Sequence, residues 1–206
     1  MIIVHHLENS RSQRILWLLE ELRLDYEVRR YERDPKTMRA PAALKKVHPL
    51  GKAPLVEEDH VVLAESAAII EHFVARSGRY GPPEDPLLAR LYHFYMHYAE
   101  GSLMPPLFGS LIVKRLGILG RPARKPLRGM LHEHFAFLDR ELAAREWFAG
   151  PDLTAADMMM SFPLEAAQSR AGLDERYPNI RAWLKRCHER EAYQAALARG
   201  GLYDYA

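Results

Sequence analysis

The chain has 206 residues, 48% of them hydrophobic and 27% charged, a balance that suits one large or two small globular domains and excludes a disordered polypeptide. Its net charge of +2 is spread over both halves of the chain, without the basic excess of a nucleic-acid binder. The one cysteine, Cys187, excludes an intramolecular disulfide, a CxxC redox pair and a cysteine-rich zinc site, and fits a reducing compartment.

Ile2–His6 reads as a short buried strand. A polar turn, Glu8-Asn9-Ser10, leads into a helix with Ile15, Leu16, Leu18, Leu19 and Leu22 on a broad apolar face. Tyr26 to Tyr31 reads as a second strand with Tyr26 and Val28 on one face. Residues 37–47 have a weak helical pattern, and His48-Pro49-Leu50-Gly51 is turn punctuation. Leu55-Val56 and Val61-Val62-Leu63 flank Glu57-Glu58-Asp59-His60 as a hairpin does, and Ile69, Ile70, Phe73 and Val74 mark a helix. This order, βαβ and then a hairpin and a helix, predicts a mixed sheet with helices on both faces over about residues 1–77.

Ser77 to Pro86 holds two Gly and three Pro, which a helix cannot continue through, so residues 78–86 read as a linker. Residues 87–206 then read as all helix. Leu87 to about Lys114 is rich in aromatics and bends at Pro105-Pro106. Positions 131, 134, 135, 138 and 142 form a stripe. Further helices run over Leu153–Ser169, from Pro178, and over about Glu191–Arg199. No stretch approaches the about 18 apolar residues of a membrane span, and Met1–Leu7 lacks the pattern of a signal peptide. The expectation is a cytoplasmic protein without a membrane or nucleic-acid partner.

Four short segments carry chemistry. Ser10-Arg11-Ser12-Gln13-Arg14 joins a strand to a helix start, where free N–H groups and the helix dipole stabilise anions, thiolates included. Asn9, Ser10 and Ser12 can each face such an anion, or a serine can simply cap the helix. Ala53-Pro54 enters a strand. A cis bond there would turn the Ala53 N–H and C=O outward, and a trans bond would make it an ordinary strand edge. Glu65-Ser66 precedes a helix and can hold an amino-acid end of a ligand, or cap. Thr154 and Asp157 have capping-box spacing, with Leu153 and Met158 at staple positions, a structural signature. The pairs His93/His97 and His132/His134 lack a third ligand, so no metal site is expected. Tyr92, Phe94, Tyr95 and Tyr98 suit core packing or an apolar pocket wall.

Taken together, "VHHLENSRSQRILWLLEEL", "HPLGKAPLV", "LAESAAIIEHF" and "LTAADMMMSFPLE" resemble the cytosolic glutathione transferases over essentially the whole chain, and are most similar to the bacterial and fungal serine-type branch. The resemblance implies a thioredoxin-like α/β domain followed by an all-α domain. It implies an enzyme that activates the glutathione thiolate and adds it to small hydrophobic electrophiles, with glutathione as co-substrate, no cofactor, and a homodimeric assembly. Position by position, Ser10 matches the serine that contacts the sulfur, with Asn9 the other candidate. Pro54 matches the family's cis-proline, so Ala53 would bind the cysteinyl backbone. Lys52 would reach the glycyl carboxylate, Glu65 and Ser66 the γ-glutamyl end, and Glu100 matches an acid supplied across the dimer. Tyr95, Met104, Phe108, Met160 and Phe162 would line the electrophile site between the domains. The chain departs from tyrosine-type members in having His5 and His6 before the turn. It has Ser rather than Cys at position 10, against mixed-disulfide chemistry, and lacks the Ser-Ser-Cys run of maleylacetoacetate isomerases. A glutathione-dependent peroxidase or disulfide reductase, and a non-catalytic scaffold of the same fold, are the alternatives.

Overall fold

In the computed structural model, which describes Met1–Ala206, β1 (Ile2–Leu7) is buried along its whole length. It is a central strand, with β2 (Tyr26–Tyr31) parallel on one side and β3 (Leu55–Glu58) antiparallel on the other. β4 (Val61–Ala64) completes the order β2-β1-β3-β4. Two of the β1 residues are histidines, and a buried ring needs partners for its nitrogens. His5 meets the Tyr31 hydroxyl through Nδ1 at 2.8 Å and Glu57 through Nε2 at 2.8 Å, so it bridges both neighbouring strands. The β3–β4 loop is shorter than the polar run suggests. Only Asp59 and His60 lie outside the strands, with φ of 47° and 69°, the left-handed pair that a two-residue hairpin turn requires.

The chain divides into two compact units, one of Met1–Gly81 with His188–Asp204, the other of Pro82–Cys187. In the first, α1 (Gln13–Leu22) buries nearly every side chain. One face meets the sheet, and another meets α9 (Glu191–Gly200), the last helix. Here the structure differs from a helical domain running on to residue 206. An amphipathic pattern shows that a helix has an apolar face but not which element covers it. The Trp17 ring takes Tyr193 edge-on at 5.3 Å, and its Nε1 donates to Glu21 at 2.9 Å. Burial pushes the Glu21 carboxyl up, but the Arg190 guanidinium, Trp17 and Tyr80 donate to it and together hold it below the usual carboxylate range.

The weak pattern over 37–47 gives only a four-residue helix, α2 (Leu44–Val47). Ahead of it, Asp34 Oδ1 accepts from the N–H groups of Lys36 at 3.0 Å and Thr37 at 2.7 Å. This is a side-chain turn that competes with helix formation. Helix α3 (Ser66–Ser77) follows β4 directly.

The second unit begins with α4 (Pro86–Tyr98), capped by Asp85, whose Oδ1 accepts from Leu87 N–H at 2.8 Å. The long aromatic helix read from the sequence is interrupted by a π turn, Ala99–Leu103, before α5 (Met104–Arg115). Pro105 and Pro106 have no N–H to continue the i→i−4 ladder, so the break falls just ahead of them. Helix α6 (Arg121–Ala144) buries Leu131, Phe135, Leu138 and Leu142 as the stripe predicts. It starts at Arg121, ahead of the stripe that begins at Leu131, with Pro122 in its first turn, where the missing N–H costs nothing.

Helix α7 (Ala155–Arg170) is buried on all sides from Ala155 to Ala167, as expected of a helix apolar around its whole girth. Its capping box is present: Asp157 Oδ2 accepts from Thr154 N–H at 3.0 Å. The same carboxylate accepts from Phe148 N–H at 2.9 Å and Trp183 Nε1 at 3.1 Å. Burial pushes Asp157 up to about 6, against these donors. Helix α8 (Pro178–His188) has its first N–H groups held by Asp139, at 2.8 Å from Asn179 and 3.0 Å from Ile180.

His132 and His134 each meet a tyrosine hydroxyl, Tyr177 and Tyr98 respectively. No group of three or more His, Cys, Asp or Glu side chains stands together as metal ligands would. No helix is long and apolar enough to cross a membrane.

Candidate active site

Sheet register gathers the first-unit candidates at one end of the sheet. His5 pairs with Leu55, and Leu55 with Ala64. Pro54 immediately precedes this pairing and Glu65 immediately follows it, at the end of the sheet where β1 turns towards α1. The Ala53-Pro54 bond is cis, as the resemblance implies. Ala53 lies just ahead of the ladder, which starts at Leu55. Lys52 is exposed next to it. Gly51 has φ +57°, and a Cβ there would sit 2.6 Å from the Lys45 side chain, so both conformation and space require glycine.

Between β1 and α1 the chain turns through residues 8–12. Asn9 has φ 49°, and its side chain is tied to the C-terminal segment. Nδ2 donates to Asp204 Oδ2 at 2.7 Å and Oδ1 accepts from Asp204 N–H at 2.8 Å. Ser10 is 5% exposed. Its Oγ accepts from the Ser12 N–H at 3.2 Å and lies 2.8 Å from Ser12 Oγ. Ser12 holds the N-cap position of α1, yet its side chain makes no capping bond. It faces back instead, accepting from Leu7 N–H at 3.2 Å and meeting His6 Nδ1 at 2.9 Å. Burial, then the Arg30 charge on β2, lowers His6 to about 4, so the ring is neutral near pH 7.

At the start of α3, Glu65 has φ 71°, a conformation that costs a non-glycine residue roughly 1–3 kcal/mol. Ser66, 5% exposed, accepts from Arg14 Nη2 at 3.1 Å, and Arg14 itself is 1% exposed. The unpaired N–H groups of the α3 N-terminus and this guanidinium make the region favourable for an anionic group.

Residues 10–76 match the family described as Glutathione S-transferase, N-terminal domain, and residues 96–186 its C-terminal domain. The chain is 40% identical to Glutathione S-transferase 3 of Schizosaccharomyces pombe, over 95% of this chain and 86% of that one. It is 36% identical to Glutathione S-transferase 1 of Saccharomyces cerevisiae, over 95% of this chain and 94% of that one. A crystal structure of a glutathione S-transferase from Actinobacillus pleuropneumoniae superposes with a TM-score of 0.91 at 34% identity, covering 100% of this chain and 95% of that one. The chain belongs to the glutathione S-transferase family. It is an enzyme of that family, with the thioredoxin-like and all-α parts that the fold requires.

The other expected residues of this transferase lie in the second unit. Glu100 is half-buried in the π turn. Tyr95 is fully buried, its ring 4.6 Å from Phe148 and its hydroxyl donating to Glu141 at 3.1 Å. Burial, then the Glu141 charge, pushes the Tyr95 phenol above the ordinary tyrosine range. Met160 is also fully buried and Phe162 nearly so, edge-on to Tyr205 at 5.9 Å. Met104 keeps a little exposed surface, and Phe108 is 58% exposed. Two residues to which sequence reasoning gave no role now stand next to the candidates, His6 and Arg14 behind Ser66, and Ser12, itself a candidate, turns its side chain to Ser10 and His6. Position 14 alone carried a signal, a cation in the first turn of an otherwise apolar helix.

Proposed function

We propose that this transferase belongs to the serine-type branch and adds reduced glutathione to small hydrophobic electrophiles, with Ser10 donating a hydrogen bond to the sulfur. The observation that carries this reading is the Ser10 hydroxyl beside the N-terminus of α1, accepting from Ser12 N–H at 3.2 Å. That bond uses a lone pair, and where Ser12 is the donor in the 2.8 Å contact between the two hydroxyls the Ser10 hydrogen is available to a ligand. A free thiol has a pKa of about 8.5, and a hydroxyl donor with nearby N–H dipoles favours the thiolate. The thiol proton passes to solvent, the sulfur forms a bond to the electrophilic carbon, and the leaving group departs with its electron pair. Asn9, both ends of its amide engaged by Asp204, acts here by holding the turn.

In this reading Glu65, Ser66 and the α3 N-terminus take the γ-glutamyl end. Ala53 takes the cysteinyl backbone and Lys52 the glycyl carboxylate. Met104 and Phe108 face the electrophile. Buried Cys187 fits a cytoplasmic enzyme. We assign a homodimer, with Glu100 serving the partner's site, and expect sedimentation at about twice the monomer mass of 23.7 kDa. A stable monomer at micromolar concentration would count against this assembly.

The test of the ligand assignment is glutathione affinity in wild type, Glu65→Ala and Ser66→Ala. Each loses a charge-assisted contact to a remote part of the ligand, so binding should weaken by about 1.5–3 kcal/mol. KM should rise while kcat holds. Unchanged affinity in both variants would remove the γ-glutamyl site. A panel of aryl halides, epoxides, hydroperoxides and disulfides separates transfer from peroxidase or reductase turnover.

A further inference from the structure

We propose that His6 and Ser12 are positioning residues that fix which way the Ser10 hydroxyl points, through a relay His6 Nδ1–Ser12 Oγ–Ser10 Oγ. The inference rests on the reading of Ser10 as the sulfur's donor.

The links measure 2.9 Å and 2.8 Å. A hydroxyl has one hydrogen and two lone pairs. Ser12 Oγ spends one lone pair on the Leu7 N–H at 3.2 Å, and its contact with the Leu7 carbonyl, at 3.3 Å, is the longest it makes. With the Ser12 hydrogen on one of its two shorter contacts rather than on the Leu7 carbonyl, one acceptance and one donation are shared by His6 and Ser10, in two arrangements. In the first, His6 Nδ1–H donates to Ser12 and Ser12 donates to Ser10. Ser10 Oγ then accepts from both the Ser12 hydroxyl and the Ser12 N–H, and its own hydrogen points away from the protein, ready for a thiolate. In the second, every hydroxyl is reversed. Ser10 donates inward to Ser12, Ser12 donates to His6, and a lone pair on Ser10 faces the ligand, where it repels a thiolate.

The tautomer of one ring therefore decides whether Ser10 is a donor. The ring is neutral, with a single proton to place, because it is buried and lies beside Arg30, its register partner on β2. The Gln13 amide stands where it can set that tautomer. The Gln13 side chain is 2% exposed and neither end of its amide has a partner. A Cβ placed on Gly200 of α9 would lie 3.0 Å from Gln13 Oε1 and 3.2 Å from His6 Nε2, so amide and ring approach the same point. An amide that presents its NH2 would donate to Nε2 and place the ring proton on Nδ1, the first arrangement; one that presents Oε1 would accept from Nε2–H and give the second.

The experiment measures the ultraviolet thiolate absorbance of bound glutathione against pH, with glutathione affinity alongside. The variants are Ser12→Ala, His6→Leu, His6→Asn, Ser10→Ala and the Ser10→Ala/His6→Leu pair. Ser12→Ala and His6→Leu should each raise the bound thiol's pKa by about half a unit to one unit, with affinity changed by no more than about twofold. His6→Asn, whose amide can place an N–H where Nδ1 stood, should return the curve towards wild type. Adding His6→Leu to Ser10→Ala should shift nothing further, because the relay then has no end group. Ser12→Ala, the smaller change, tests the same link if His6→Leu does not fold. If Ser10→Ala shifts the curve while Ser12→Ala and His6→Leu overlay wild type, the relay is wrong and the Ser10 reading stands. If Ser10→Ala also overlays wild type, both are overturned.

Discussion

Asp157→Ala should destabilise the protein by about 3–5 kcal/mol, because three buried N–H donors, and the Thr154 hydroxyl with them, lose their acceptor at about 1–3 kcal/mol each before relaxation. The carboxylate accepts from Phe148 N–H, Thr154 N–H and Trp183 Nε1 at 2.9, 3.0 and 3.1 Å. It thereby joins the turn before α7, the start of α7 and the middle of α8. Alanine leaves all three facing a small cavity with no polar partner. Urea unfolding, followed by tryptophan fluorescence, should show a lower midpoint with an unchanged slope. A midpoint near wild type would mean that the surrounding backbone finds other acceptors.

Asp157→Asn keeps the shape but turns an NH2 towards at least one donor, and should fall between the two. The same group gives a pH signature. Its folded pKa, about 6, lies above the ordinary value of 3.8, so between these values the folded state binds more protons than the unfolded one. Its contribution to stability is present in full below about 4 and is lost as pH rises towards 6. Asp157→Asn removes that component of the pH profile.

The second large effect is on catalysis. Ser10→Ala should lower kcat/KM for an aryl halide about tenfold to a hundredfold near pH 6.5, as expected when a thiol pKa rises by one to two units. The loss should shrink as pH rises above the variant's thiol pKa, where the thiolate forms without help. Glutathione affinity should change little, because Ser10 favours one protonation state of the ligand rather than the ligand as a whole. A loss that is constant with pH would mean that Ser10 positions the sulfur without altering its ionisation.

Much of the architecture is legible in the amino-acid pattern. Period-two and helical patterns locate the four strands and most of the helices to within a few residues; α6 is an exception, starting earlier than its apolar stripe. The Thr154-to-Asp157 spacing marks the start of α7. The features that escape the pattern depend on contacts between distant residues. The apolar face of α9 is plain in the sequence, but its partner is α1, through Trp17 with Tyr193 and Glu21 with Arg190. The pattern over 37–47 fails locally because the Asp34 side chain takes the N–H groups of Lys36 and Thr37.

Among the candidates, Ser10, Pro54, Glu65 and Ser66 follow from a family resemblance, and the sheet pairing puts the strand ends next to them at one end of the sheet. Ser12 reads as a cap or first-turn residue because serine at a helix start usually caps. Its side chain is drawn away by Leu7 N–H and His6, six residues back on β1, a competition that spacing does not reveal. Tyr95 and Met160 have the composition of a pocket wall, and core packing uses the same residue types.

That Ser10 favours the thiolate of bound glutathione is tested most directly by thiolate absorbance against pH for wild type, Ser10→Ala and Asn9→Ala. Wild type should show a bound thiol pKa below the free value of about 8.5, and Ser10→Ala should raise it by about one to two units, or roughly 1.4–2.7 kcal/mol. Asn9→Ala should shift it less. A Ser10→Ala curve that overlays wild type, with Asn9→Ala displaced instead, would contradict the claim and move the role to Asn9.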